Sequence, residues 1–161
     1  MALHQLRVSQ RIPLSLDDAW RFFSDPRNLT VITPRSMGFV LKTPVPAEMY
    51  PGLIIAYTVK PMGGVPIEWV TEITHVRDRE FFVDEQRSGP YRTWHHEHHF
   101  RAIPGGTEMT DIVSYALPFG PLGDLVNAAV VRKRVAGIFN YREQVLDERF
   151  GPYVAPTGVV E

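Results

Sequence analysis

The densest set of groups able to do chemistry lies between Thr93 and Leu117. There His95, His96, His98 and His99 are interleaved with Trp94, Glu97 and Phe100. Successive residues of an extended strand point to opposite faces. Trp94, His96, His98 and Phe100 therefore share one side, and His95, Glu97, His99 and Arg101 the other. Pro104-Gly105-Gly106-Thr107 is a turn signal. Beyond it Met109, Asp111, Val113, Tyr115 and Leu117 alternate with Thr110, Ile112, Ser114 and Ala116. If the larger side chains of both strands face inward, two imidazoles and a carboxylate share an apolar interior. Such a cluster is costly unless its members satisfy one another, so it is either a structural network or the wall of a site.

Three chemistries fit that cluster. His96 and His98 could bind a divalent metal with Asp111 as a third ligand. No firm fourth ligand is apparent, and the reading favours a His–Asp hydrogen-bond network that fixes the strands, with no metal and no other cofactor. A neutral imidazole held by Asp111 could instead move protons on a bound ketone or enol, as a cyclase or dehydratase requires. Finally, the same groups could simply orient a carbonyl or hydroxyl of a ligand. His95, His99 and Glu97 read as solvated.

Composition narrows the classes. The 161 residues fit one domain, with 44% hydrophobic and 22% charged residues, as in ordinary globular chains. A formal charge of −1 supplies no basic surface for nucleic acid or anionic lipid. Arg132-Lys133-Arg134 reads as a solvated turn. There is no cysteine, which excludes disulfides, thiolate nucleophiles and thiolate metal sites. Gly63-Gly64 and Gly105-Gly106 read as turns, not phosphate loops, and no apolar run is long enough for a membrane span or a secretion signal. The expectation is a soluble cytoplasmic protein without integral membrane association.

The elements that position these groups follow in order. Gln5 to Ile12 alternates as a first strand. Ser15 caps a helix with Asp17 and Asp18 in its first turn and Ala19, Trp20 and Phe23 at helical spacing. Asp25-Pro26 starts a second short helix, which ends before Thr33-Pro34. Six strands then follow, over Gly38–Thr43, Leu53–Lys60, Pro66–Val76, Phe81–Gln86, Arg92–Ala102 and Glu108–Leu117. Short links imply an antiparallel meander. The last element, Pro121 to about Arg149, reads as the longest helix. Its apolar stripe changes side near Val130: Leu122, Leu125, Val126, Ala129 and Val130 lie together, opposite Val131, Val135, Ile138, Phe139, Val145 and Leu146. The helix is therefore bent or broken there, or its first half buries a different face against loops, a ligand or another subunit. A homodimer thus stays open. Residues 152–161 read as a flexible tail.

This order, with Ile12-Pro13-Leu14-Ser15, Ala19-Trp20-Arg21-Phe22-Phe23 and Thr33-Pro34 near the start, resembles the START-like (SRPBCC) superfamily, the helix-grip or birch-pollen-allergen fold. It looks most like the polyketide-cyclase/dehydrase and coenzyme-Q-binding branches. The segments Thr93–Phe100, Asp111–Tyr115 and Phe139-Asn140-Tyr141-Arg142 are similar to an uncharacterised bacterial ligand-binding group. The resemblance covers roughly Val8 to Phe150. It implies an α+β domain over residues 1–151, in which a curved antiparallel sheet of about seven strands grips a long C-terminal helix around an internal cavity. No catalytic residue of the cyclases maps onto a motif here.

A curled sheet meeting one helix leaves a wedge for a pocket. Expected lining residues are Tyr57, Trp69, Thr71, Trp94, His96, His98, Asp111, Val113 and Tyr115 from the sheet, with Phe139 and Arg142 from the helix. The charge of Arg142, on an inward stripe, needs Asp111, Glu85 or a ligand carboxylate as partner, or else its side chain snorkels to the rim. Met49–Gly52 and Leu117–Leu122 read as loops near the cavity mouth, the second a lid or ordinary packing. The leading functional reading is binding of a small hydrophobic or amphipathic molecule, such as a lipid, polyketide-like or quinone-like metabolite. The alternatives are a cofactor-free cyclase, aromatase or dehydratase with His96 or His98 as base, and a protein-interaction module.

Overall fold

A computed structural model describes residues 2–60, 64–126 and 130–156. Strand β1, His4–Ile12, comes first, followed by helix α1, Leu16–Phe23. The Ser15 hydroxyl accepts the Asp18 amide at 3.1 Å and satisfies one of the unpaired N–H groups of the first turn. Asp25 likewise accepts the Arg27 amide and opens a 3₁₀ turn, Pro26–Asn28, that runs into α2, Leu29–Ile32. Both short helices therefore start where their capping residues stand.

The meander comprises β2 (Val40–Leu41), β3 (Leu53–Val59), β4 (Ile67–Arg77), β5 (Phe81–Ser88), β6 (Thr93–Ile103) and β7 (Gly106–Ala116). The sheet order is β1-β7-β6-β5-β4-β3-β2, all antiparallel. The expected strand over Gly38–Thr43 shrinks to two residues, because its partner β3 is paired there only at Thr58 and Tyr57. Register shifts in β4 between Val70 and Thr71, and between Ile73 and His75, insert extra residues that bend the sheet. The β6–β7 turn uses Pro104 and a left-handed Gly105 (φ 76°), the arrangement of a type II turn. Gly106 already pairs with Ile103. A Cβ there would lie 2.2 Å from the Ile12 carbonyl, so only glycine lets β1 and β7 close at this end.

The final segment contains α3, Pro121–Val126, and α4, Arg132–Phe150, with π-helical Val130 and Val131 leading into the second. Those π-helical residues stand where the apolar stripe changes side. Leu122 and Leu125 of α3 are about two-thirds exposed, whereas Val135, Phe139, Arg142 and Leu146 of α4 are buried. Ala129 lies outside the described residues, as do Gly63 and residues 157–161. Before them, the Tyr153 hydroxyl donates to the Pro104 carbonyl at 2.7 Å, so the segment after α4 lies against the β6–β7 turn.

The sheet's concave face carries three apolar groupings. Ile12, Ala19, Phe23, Ile32, Phe82, Phe100, Met109 and Leu146 close one end beneath α1 and α2. Val113, Tyr115 and Leu117 of β7 and its following residue pack against Val131, Val135 and Phe139. Leu53, Ile55 and Ile73 line the far side. Helix α4 therefore fills the β1–β7 side of the concavity and leaves the β3–β6 side less covered.

Candidate functional site

That uncovered side is a cavity of about 450 Å³. Its sheet wall is built from alternate residues of four strands: Ile55, Tyr57 and Val59; Trp69, Thr71 and Ile73; Phe82 and Asp84; Trp94, His96 and His98. Val135, Ile138, Phe139 and Arg142 of α4 face them, and Leu29, Ile32, Met37, Phe39 and Met49 form the rim. Aromatic rings dominate one end. Tyr57 stacks on Trp69 at 5.9 Å, and Trp69 meets Trp94 edge-on at 5.4 Å. Tyr91, from the β5–β6 loop, touches both tryptophans. The Tyr57 and Thr71 hydroxyls bond each other at 3.1 Å, and burial drives both Tyr57 and Tyr91 to higher pKa, so each phenol keeps its proton. Trp69 is 7% exposed and its indole Nε1 has no hydrogen-bond partner. Trp69 lines the cavity with its ring, while this nitrogen is buried within the wall.

The opposite end is ionic. Antiparallel pairing sets Asp84 across from His96, and His98 across from Asp111. Both imidazoles consequently lie between two carboxylates. His96 Nε2 is 2.8 Å from Asp111 Oδ1 and its Nδ1 is 3.3 Å from Asp84 Oδ2. His98 Nε2 is 2.9 Å from Asp84 Oδ2, and its Nδ1 is 2.9 Å from Asp111 Oδ1 but off the direction of a hydrogen bond. Arg142 Nη1 donates to the same Asp111 oxygen at 3.0 Å, with its guanidinium 4.9 Å from the Phe139 ring centre.

Charge in this cluster is self-consistent. Burial opposes the ionised form of each group, yet the neighbours outweigh it. The Asp84 charge and hydrogen bonds to both carboxylates raise His96 to about 9, so it carries a proton at neutral pH. Arg142 and the two imidazoles hold Asp111 well below the usual carboxylate range, and His96 and His98 do the same for Asp84. Two carboxylates thus face the Arg142 guanidinium and the His96 imidazolium, and paired opposite charges of this kind let ionised groups persist in an interior.

The structure gathers Tyr57, Trp69, Thr71, Trp94, His96, His98, Phe139 and Arg142 onto the cavity wall. It does not bring Asp111, Val113 and Tyr115 there. These three β7 residues face inward and are buried, but α4 and the β6 side chains cover them, so Asp111 stands behind the imidazoles. Glu85 is not the partner of Arg142. It points outward and meets His95 at 2.9 Å. His99 meets Glu97 at 2.9 Å on that same outer face. Of the two mouth loops, Met49 reaches the cavity, while Phe119 and Leu122 are exposed and do not. Asp84 is the member that sequence reasoning missed. Phe82 and Asp84 alternate in β5, and pairing β5 with β6 would have put this carboxylate opposite His96. Tyr91 comes from the β5–β6 loop, which carries no periodic signal, and Phe39 stands within the expected strand Gly38–Thr43 but just before the two residues that pair.

These features define the helix-grip architecture: a curved antiparallel sheet around a C-terminal helix with an apolar cavity between them. Solved structures share it along nearly their whole length. TTHA0849 from Thermus thermophilus superposes with a TM-score of 0.70 at 17% identity, covering 91% of this chain and 97% of that one. Major latex-like protein 151 from Panax ginseng gives 0.66 at 12% identity, covering 93% and 99%, and Ara h 8.0201 gives 0.60 at 16%, covering 91% and 99%. No protein-family model matches the sequence, and no curated protein matches it. Among the described residues no helix is long and apolar enough to cross a membrane.

Proposed function

We propose that this protein binds one mostly apolar small molecule bearing a hydrogen-bond acceptor, such as a ketone or quinone carbonyl, between its sheet and α4. The observation that carries this reading is the cavity of about 450 Å³, with an aromatic end built from Tyr57, Trp69, Tyr91 and Trp94 and with His96 and Arg142 also on its wall. An apolar body would displace water from Tyr57, Trp69, Trp94 and Phe139, and an acceptor would face the His96 and Arg142 end. The fold it shares with TTHA0849 and the latex-like protein accommodates such a cavity.

Native mass spectrometry of the protein from its own source tests this directly. A single retained apolar compound is expected, with affinity at least about fivefold lower in Trp69→Ala, which removes much of the aromatic wall. A protein that neither carries nor takes up any apolar compound would sink the reading.

The cyclase or dehydratase reading is less well supported. His96 holds its proton between two carboxylates, so at neutral pH it is an acid and not the base that reading requires. Turnover of a bound ketone that is lost in His98→Ala while ligand affinity persists would favour the enzyme.

A further inference from the structure

The ionic end of the cavity contains more nitrogen–oxygen approaches than it has protons to place in them. His96 and His98 make four contacts with Asp84 and Asp111, between 2.8 and 3.3 Å. Two neutral imidazoles own two N–H groups. At least two contacts then oppose a nitrogen lone pair to a carboxylate oxygen, which is repulsive unless further positive charge enters the ring. Protonation of one imidazole supplies one such charge. A divalent cation supplies two.

The surroundings suit the cation. Asp111 is already neutralised by Arg142 and receives the His96 Nε2–H at 2.8 Å. A carboxylate that takes the proton of one ring nitrogen turns the other nitrogen's lone pair outward, the arrangement found behind metal-bound histidines. Here the outward nitrogen of His96 is Nδ1, which faces Asp84. His98 presents Nε2 to the same Asp84 oxygen. One donor atom from each of Asp84, His96 and His98 falls within a 4.8 Å span. His98 is only 6% exposed, and its Nδ1, 2.9 Å from Asp111 Oδ1, makes no hydrogen bond there, so Asp111 does not hold His98 as it holds His96. All three candidate ligands line the cavity.

We infer that Asp84, His96 and His98 form a binding site for a first-row divalent transition metal, with Asp111 as the positioning residue that sets the His96 tautomer. Two imidazoles and one carboxylate are a borderline donor set that suits zinc or iron over magnesium or calcium. A divalent ion with Asp84 carries one net positive charge, and its remaining positions open to the cavity, where they take water or an anionic oxygen of a guest. The site requires no apolar guest, so it and the binding reading above fail separately.

Cobalt(II) added to chelator-stripped full-length protein, followed by visible absorption and calorimetry, tests the site. One ion per chain is expected, with d–d bands distinct from those of the hexaaquo ion. Asp84→Asn and His96→Gln should weaken binding at least about 100-fold, and Asp111→Asn about 10- to 100-fold. Substitution of the outward His75 should leave affinity unchanged. Near-UV circular dichroism checks that each variant is folded. Should Asp84→Asn or His96→Gln fail to fold, the cobalt spectrum of the unaltered protein decides alone. No stoichiometric binding, a spectrum of the aquo ion, or binding undiminished in folded Asp84→Asn and His96→Gln would overturn the site and leave a proton as the only extra charge in the ring.

Discussion

The four histidines of β6 divide into two pairs with the same chemistry and opposite circumstances. His95 and His99 stand on the outer face, with side chains 36% and 42% exposed and glutamates beside them. His96 and His98 stand on the inner face, 6% exposed, with aspartates beside them. Water screens the outer pairs, which therefore contribute little. Inside, burial leaves little screening, and each charge depends on its partner. The pleat alone makes this difference, since a shift of one residue would exchange the two pairs. An imidazole–carboxylate contact is thus uninformative until its face of the sheet is known.

The contrast is sharpest if a carboxylate is removed from the inner set. Asp111→Ala strands Arg142 in the interior, removes one carboxylate from each imidazole, and should cost about 3–5 kcal/mol in urea denaturation. A loss below about 1 kcal/mol would show that water reaches the cluster. Replacing Asp111 and Arg142 together by Leu and Met should cost less than Asp111→Ala alone, because no charge is then orphaned.

Next comes pH, measured on metal-free protein. His96 titrates near 6.5 when unfolded and near 9 when folded. The raised value means that its contribution is complete below about pH 6.5 and disappears as pH climbs through 9, a loss on the order of 3 kcal/mol. Asp84 and Asp111 act with the opposite sign, since their folded values are depressed and their contribution disappears in acid. A stability profile flat between about pH 6.5 and 9.5 would contradict the inner arrangement.

On the outer face, His95→Ala and His99→Ala should each change stability by less than about 0.5 kcal/mol. Smaller still is the expected effect at α3, where Leu125→Asp should leave the melting temperature unchanged because Leu125 is 67% exposed. Sedimentation of that variant separates two cases. A change of oligomeric state would make the exposed apolar side of α3 a subunit contact, and an unchanged one would count against the homodimer and the interaction module.

Much of this arrangement was legible in the sequence. Alternation in Trp94–Phe100 and Met109–Leu117 named the inward faces of β6 and β7, and the shift of apolar stripe near Val130 coincides with the π-helical entry into α4. Sequence could not say how far α4 leans toward β1 and β7. That lean buries Val113 and Tyr115 and opens the cavity over β3–β6, which is why three expected lining residues sit behind the wall. Asp84 was hidden for another reason. Its neighbours Glu85 and Asp78 are equally acidic, and only the register of β5 on β6 distinguishes the carboxylate that faces the imidazoles. Glu85, one residue along, points the other way.

The position of β1 has a consequence for how the chain is made. Residues 4–12 pair with residues 107–115, although they leave the ribosome well before them. The strands of the meander can associate with their neighbours as they emerge, but β1 must wait until β7 has been made. Non-local pairing of this kind slows folding, because a long loop must close before any contact rewards it. The cavity is therefore completed only when β1, β7 and the helix that follows them come together, and a guest finds no enclosed site before all six strands of the meander exist.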